Sequence, residues 1–566
     1  MKKAIQIACL MVIALTSLDG HARNISIEVN NVRDDLTSQL REQCARATYN
    51  DTVTLNFGKG TFTVSGTVVF KCHVVIKGQG AANTTILLDN GKDRTGFKAF
   101  TDDTYFKVYG TLQHPVSLEM RNLTMRLKDH KGIWWEDSKK DTEKYAVKIY
   151  HANQVDINNV ESYMSNAKIT NFDLHVCSNV TVTDCILSNY NNCQIGGNLW
   201  IRGEMHNILV KNNKFYKYGK DEALGVFGRV VDNSKGYVVG AAKRTDIFIE
   251  DNEFYYGYKG KDKDPEAYNH TILTLMTDHK KSQDVCTTRN FHLRNNKFHM
   301  TDATARCMYI CFDPADVHEG IYIENNLIEN ENTEADKRYY RQDIEVNDLS
   351  SCGDTVHIIG NTVKNKRLVL NPSGNQGYSF LLVQGGNVCL DGNKVINEKI
   401  VNPANGKATG MQLVWCGAQG GDVTLRNNVC KGLMCIAYVG AGDGTEHFVL
   451  NASNNYFEGS TRVYSHKIKR LDLNFTGNTF KSSDVNFFLQ EFADKGTVVF
   501  NNNEVTIKGG NGQFMTHWGK NSTHDYHFDK LEVKNNVIRG VNNERDLFKN
   551  VTNVKKRNVK ANQITR

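Results

Sequence analysis

Apolar residues fall at every second position through most of this chain, in short runs broken by Asn, Asp and Gly, and that spacing predicts strands. Residues 210–216 (VKNNKFY) give the unit in its clearest form: an apolar residue, two variable positions, Asn, one variable position, and a second apolar residue. The frame returns at residues 249–254 (IEDNEF), 293–298 (LRNNKF) and 323–328 (IENNLI). It returns again around Asn361, Asn393, Asn428, Asn455, Asn478, Asn503, Asn536 and Asn562, making twelve consecutive copies with Asn at the fourth position. Three earlier copies carry Leu123, Val160 and Cys185 where the Asn would stand. Successive copies lie 23 to 44 residues apart, and self-similarity at such periods is the signature of a stacked repeat architecture. Asn tolerates the left-handed conformation, so a sharp turn is expected at the repeated Asn itself. Identical amides stacked coil on coil can also hydrogen-bond along the stack. The shortest spacing suits one coil of three short strands, and the expectation is an all-β chain wound as a parallel β-helix.

Two segments depart from this pattern. Residues 1–22 begin with Lys2 and Lys3, continue through an apolar run over 5–15, and end in Gly20-His21-Ala22, the form of a cleaved export signal. That run is too short to span a membrane, and no other stretch of spanning length follows. The mature chain is therefore expected to be soluble, without a membrane span, and periplasmic or extracellular. In residues 33–50, Leu36, Leu40, Cys44 and Ala47 share one helical face after Asp34 and Asp35. A short helix there would cover the open edge of the first coil.

Composition narrows the class. With 45 Gly, 5 Pro and 40% hydrophobic residues the chain is neither disordered nor collagen-like. A solenoid grows by adding coils, so residues 23–566 can form one domain, expected as a monomer. The formal net charge of +7 and the lack of any nucleic-acid motif favour an acidic polysaccharide as partner, not a nucleic acid. Fourteen cysteines include no C-x-x-C pair; Cys307 and Cys311 alone make no metal site, and most are expected as small buried hydrophobes.

A helix, then residues 57–70 (FGKGTFTVSGTVVF), then residues 74–80 (VVIKGQG), then Asn-bearing coils: this order resembles the pectin-lyase-like superfamily of right-handed parallel β-helices. That superfamily includes pectate and pectin lyases, chondroitinase-B-like and alginate lyases, polygalacturonases and phage tailspikes. The resemblance covers residues 33–566. It implies a single right-handed parallel β-helix and a glycan lying along the first strand of each coil, walled by loops. Fold alone does not fix the reaction. The sequence has no match to the pectate-lyase Arg signature, no Asn-Thr-Asp run, and no Asp-Asp pair in the polygalacturonase arrangement.

The long coils mark where loops have been added, at residues 128–144, 216–244 and 255–281, so the groove is expected on coils between about 130 and 350. Strand alternation there puts Val147, Ile149, Leu174, Val176, Leu199 and Ile201 inward. It puts Lys148, Tyr150, Asp173, His175, Trp200 and Arg202 outward. Lys148, His175 and Arg202 are 27 and 27 residues apart and are expected to stack as a cationic row on neighbouring coils. Such a row suits β-elimination on a uronate, in which a base removes the proton beside the carboxylate and a cation neutralises the charge that develops. Asp221 and Glu222 (in GKDEALGVF, residues 219–227) are candidates to hold a cation, as the Ca²⁺ of related lyases is held, or to serve as acid and base; Glu222 is placed with the catalytic set and Asp221 with a metal. Trp134, Trp135, Tyr150, Trp200, Tyr309 and Glu345 are the candidate substrate contacts, with Asp313 a further outward carboxylate. The leading expectation is a polysaccharide lyase acting on chondroitin-like glycosaminoglycan, pectate or alginate. The alternatives are a glycoside hydrolase, which requires two facing carboxylates, and a non-catalytic glycan binder.

Overall fold

Alternating side chains commit this sequence to strands, and the strands close on themselves as coils. The computed structural model describes residues 22–566 except 90–103, 129–143, 165–168, 191–196, 219–221, 229–241, 258–270, 278–284, 302–305, 332–341, 367–377, 399–405, 407–409, 441–444, 466–467, 485, 492, 509–511, 518–526, 549–550 and 552–553. Its 45 strands join in one continuous sheet with every pairing parallel between successive coils. Leu224–Phe227, Ala242–Glu250 and Glu253–Tyr256 form one coil, and they pair in order with Thr271–Met276, Cys286–Arg294 and Lys297–Met300 of the next. The chain is a right-handed parallel β-helix with three faces. Inward side chains from all three form one apolar core running from Ile27 to Val551.

The repeated Asn forms a continuous ladder inside one corner. Asn393 Oδ1 accepts from both the backbone N–H and the side-chain amide of Asn361, at 2.9 and 3.0 Å. Its own amide donates to Ile358 O at 2.8 Å and to Asn428 Oδ1 at 3.0 Å. The same exchange runs without a break from Asn213 to Asn562. One expectation is corrected. The left-handed residue is not the ladder Asn but the one before it: Asn212, Asp251, Asn295 and Asn325 all have φ between 54° and 58°. The preceding residue turns the chain and leaves the ladder Asn free to point inward. Asn122, Asn159 and Asp184 turn the same way before Leu123, Val160 and Cys185, so the turn survives where the ladder amide is lost.

The three faces differ in what lies outside them. On the second face, strands such as Ala242–Glu250 and Cys286–Arg294 alternate between buried and exposed residues. On the first face, residues 169–175, 224–227, 271–275 and 342–346 are buried without interruption. That face is therefore covered on its outer side as well as its inner side.

A helix does cap the first coils, but it spans Thr37–Cys44 and so is shorter than residues 33–50. Leu36, Leu40 and Cys44 join the core, and Asp35 accepts from the N–H of Thr37 at 3.1 Å. Among the described residues no helix is long and apolar enough to cross a membrane. Of the twelve described cysteines, ten are buried, nine among strands or turns and Cys44 in the helix, with Cys311 half-buried and Cys352 exposed.

Asn393→Ala is expected to cost about 3 kcal/mol, because it removes the acceptor of the Asn361 backbone N–H and side-chain amide and the donor to Ile358 O. Lys394→Ala, exposed beside it, should cost less than about 0.5 kcal/mol. Chemical denaturation of both variants checks the difference.

Candidate active site

The outward side chains of the first face meet on three neighbouring strands, Lys144–Tyr163, Ile169–Thr183 and Leu199–Lys211. Val147, Ile149, Leu174, Leu199 and Ile201 fill the core as expected. The register does not stack Lys148 on His175. Lys148 pairs with Asp173, which pairs with Trp200, while Tyr150 pairs with His175, which pairs with Arg202. The coil here advances by 25 residues, the distance from Val160 to Cys185, so the 27-residue interval from Lys148 overshoots by two and lands on His175 instead of Asp173. Val176 also departs from its expected inward place. It takes the left-handed conformation with φ 54°, and Cys177 enters the core in its stead.

Asp173 is the centre of the cluster. His175 Nε2 lies 2.6 Å from its Oδ2, Arg202 Nε lies 2.9 Å from its Oδ1, and Lys148 Nζ lies 3.8 Å from Oδ2. The Asp173 side chain is fully buried, His175 and Lys148 are 2% and 1% exposed, and Arg202 is 12% exposed. Burial pushes the Asp173 carboxyl up, but His175, Arg202 and Lys148 outweigh it and hold the group well below the usual carboxylate range. Burial also dominates at His175, and with the two cations it lowers the imidazole below its ordinary value against the upward pull of Asp173. Asp173 is thus ionised and His175 neutral near pH 7. An ionised carboxylate can only accept, so Nε2 carries the proton. Nδ1 keeps its lone pair, is buried, and has no hydrogen-bond partner among the described residues.

Aromatic rings surround this charge. Lys148 Nζ sits 4.1 Å from the Tyr145 ring centroid, and the Arg202 guanidinium sits 4.5 Å over Trp200 and 4.8 Å over Phe227. These ring faces replace water around the cations. Tyr145, Trp200 and Phe227 form their own apolar cluster outside the core, with Met276 against it. Trp200 is therefore packed beneath Arg202 and is not a bare platform for a sugar. Tyr150 faces the His175 ring with centroids 4.7 Å apart. Gly225 is required, since a Cβ there would stand 2.2 Å from the Phe227 ring. Immediately beyond Tyr150, His175 and Arg202 the backbone bends through positive φ at His151, Val176 and Gly203 (50°, 54° and 80°). Such a conformation is an outlier for a β-branched residue and is held only where the surroundings impose it.

Other candidates lie elsewhere on the face. Glu222 accepts from Thr274 Oγ1 at 3.3 Å, and Thr274 is three strand steps from Asp173, roughly 14 Å at normal strand spacing. Glu345 is bound by Arg306 at 2.5 Å and by Gln342 at 2.6 Å, and the Arg306 guanidinium lies 4.3 Å over the half-buried Tyr309 ring. Tyr309 and Glu345 pair in register, so the structure brings these two candidates together, around an Arg that the sequence reading missed. Asp313 accepts from Thr277 Oγ1 at 3.2 Å, at the turn beyond that strand. Trp134, Trp135 and Asp221 lie outside the described residues. Among the described residues no group of three or more His, Cys, Asp and Glu side chains converges as metal ligands.

The residue most plainly missed is Asp173. Its period-two relation to His175 (Asp173-Leu174-His175) places a carboxylate and an imidazole side by side on one face of a strand, and that was the available signal. Asp173→Asn would leave Lys148 and Arg202 buried around a neutral amide, with an expected loss of about 3–5 kcal/mol at pH 7. The depressed carboxyl contributes its stability above the ordinary value of 3.8 and loses it as pH falls through the lower folded value. Denaturation midpoints should therefore differ by a constant amount from pH 5 to 8 and converge only in strong acid.

No known protein family matches this chain, and no curated protein matches it. Among solved structures it is similar to a Family 28 exopolygalacturonase of Yersinia enterocolitica, with 9% identity over 77% of this chain and 78% of that one and a TM-score of 0.40. It is similar also to the A-module of a mannuronan C-5 epimerase of Azotobacter vinelandii, with 10% identity over 90% and 96% and a TM-score of 0.31. A surface adhesin of Streptococcus pneumoniae matches with 12% identity over 76% and 93% and a TM-score of 0.31. At such identities these likenesses assign no chemistry to this chain.

Proposed function

We propose that this chain is an exported polysaccharide lyase that cleaves a uronate-containing polysaccharide by β-elimination. The observation that carries the reading is the buried Asp173–His175 pair with Arg202 on the same carboxylate. Asp173 fixes the His175 tautomer, which leaves Nδ1 as a base with no competing hydrogen bond. Burial keeps that base neutral, and Arg202, at the more open edge of the cluster, supplies the positive charge that a substrate carboxylate needs as it becomes a dianion.

In the step we assign, Nδ1 takes the proton from the carbon beside the uronate carboxylate. The electron pair closes the carbon–carbon double bond as the bond to the glycosidic oxygen breaks. The protonated His175 is the donor at hand for the departing oxygen, so the proton count closes without an added reactant. Asp173 is unsuited to protonate a leaving group, because three cationic or hydrogen-bonding partners hold it ionised. This favours elimination over hydrolysis, since a hydrolase needs one carboxyl that stays protonated near neutrality. Asp221 and Glu222 remain the residues that would bind calcium; the neutralising charge is placed on Arg202 and Lys148.

Incubation with chondroitin, hyaluronan, pectate and alginate should give products with the ultraviolet absorbance of an unsaturated uronate on one of them, and that rate should survive a chelator. His175→Gln should lower kcat by about 10²–10⁴-fold with its unfolding midpoint nearly unchanged. Because the imidazole is lowered, the acid limb of the wild-type rate profile should fall below the ordinary value of 6.5. New reducing ends without unsaturation would replace the lyase reading with a hydrolase, and retention of a glycan with no turnover would replace it with a binder.

A further inference from the structure

The first face continues well beyond the Asp173 cluster, and its chemistry changes along the way. In register with Asp173 stand Trp200, Gly225, Thr274, Tyr309, Glu345 and Leu382, then Trp415, Tyr438 and Tyr464. Asp173 and Glu345 are the carboxylates of this stretch, whereas the next four side chains, from Leu382 to Tyr464, are apolar or aromatic, before Gln490 and Thr516 continue the register. Trp415, Tyr438 and Tyr464 are each half-buried, and the Tyr438 and Tyr464 rings stack 4.8 Å apart at 14°. Three consecutive coils thus present a strip of aromatic rings on the same face as the candidate site.

Aromatic stacking is common on this chain and does not by itself imply a ligand. Several stacks on the other faces have a polar edge tied to a carboxylate: His292 to Glu324 at 3.0 Å, His299 to Glu329 at 3.3 Å, and Tyr255 to Glu253 at 2.7 Å. In the strip, Tyr438 makes no side-chain hydrogen bond and the Trp415 indole N–H, like that of Trp200, is a buried donor with no acceptor among the described residues. Buried Trp and Tyr ordinarily secure such a partner. An orphaned indole donor in line with a ring stack matches a sugar, which offers an apolar C–H face to the rings and hydroxyl or ring oxygens to the N–H.

We propose that Trp415, Tyr438 and Tyr464 form a distal saccharide-binding platform for the same polysaccharide chain whose uronate is held at Asp173–His175–Arg202. This rests on the lyase reading for the identity of the glycan. Trp415 is seven strand steps from Asp173 and Tyr464 nine, roughly 34 and 43 Å at normal strand spacing. The platform therefore engages only long chains. Its uncharged rings suit the sugars of the chain through their apolar faces, while recognition of the acidic group stays with the cationic cluster.

The test is direct binding by calorimetry, with the full chain carrying His175→Gln so that ligand is not consumed. The probes are chondroitin, hyaluronan, pectate and alginate, each as polymer and as tetrasaccharide. With the polymer that binds, adding Trp415→Ala and Tyr438→Ala together should lower the ratio of polymer to tetrasaccharide affinity about tenfold, as expected for two lost ring contacts. Trp415→Phe should restore most of its share, which a folding defect would not. Unchanged polymer affinity in the double variant, or no binding of any polymer, would overturn the platform. Wild-type chain that yields unsaturated product while the double variant binds polymer normally overturns the platform and leaves the lyase standing. Length-dependent binding lost in the double variant, with no unsaturated product from wild type, does the reverse.

Discussion

The Asn ladder is the interaction on which the rest of the molecule depends. A parallel stack of strands has no intrinsic register, and a slip of one residue would turn every inward side chain outward. Each ladder amide removes that freedom by bonding both to the next coil's amide and to a backbone carbonyl, as Asn393 does with Asn428 and Ile358. Coil lengths then vary freely, because extra residues are taken up in loops while the corner stays in line. Along Asn213–Asn562, which side chains meet on the first face follows from that fixed corner, as in the pairing of Tyr309 with Glu345 on the coils joined by Asn326 and Asn361.

A second constraint acts at the cluster itself. A buried carboxylate is tolerable only when its charge is met, and Asp173 is met by Arg202 and Lys148 from the coils on either side. His175 also holds the carboxyl down, while burial lowers its own imidazole below the ordinary value. On the proposed reading, the cluster separates two jobs that often compete in one residue: holding charge and accepting a proton. The aromatic shell of Tyr145, Trp200 and Phe227 keeps water away from both.

The fold was legible in the sequence to a degree unusual for a chain of this size. The repeated frame marks the corner, and the inward set Val147, Ile149, Leu174, Leu199 and Ile201 follows from alternation. The site was legible only in part. Lys148, His175 and Arg202 do converge, but through Asp173, since register depends on coil length and not on equal spacing between chosen residues. Val176 broke alternation because a left-handed bend there is imposed by tertiary structure and leaves no local signal. Trp200 was misplaced as a bare platform because a strand pattern reveals which side a residue faces but not whether that side is covered. Trp415, Tyr438 and Tyr464 escaped notice for a related reason: each sits in an ordinary strand, and only the pairing of three coils lines them up.

The early corners at Leu123, Val160 and Cys185 keep the turn but lack the bridging amide. In a solenoid, stability is a sum over neighbours, so opening starts wherever the coupling between coils is weakest. Here the early corners are joined by other groups, Asn159 Nδ2 to Asn122 Oδ1 and Asn158 Nδ2 to Thr183 Oγ1, both at 2.8 Å, while the polar spine from Asn213 to Asn562 anchors the remainder. The early coils are thus held in line by varied side chains and the later ones by a single repeated amide.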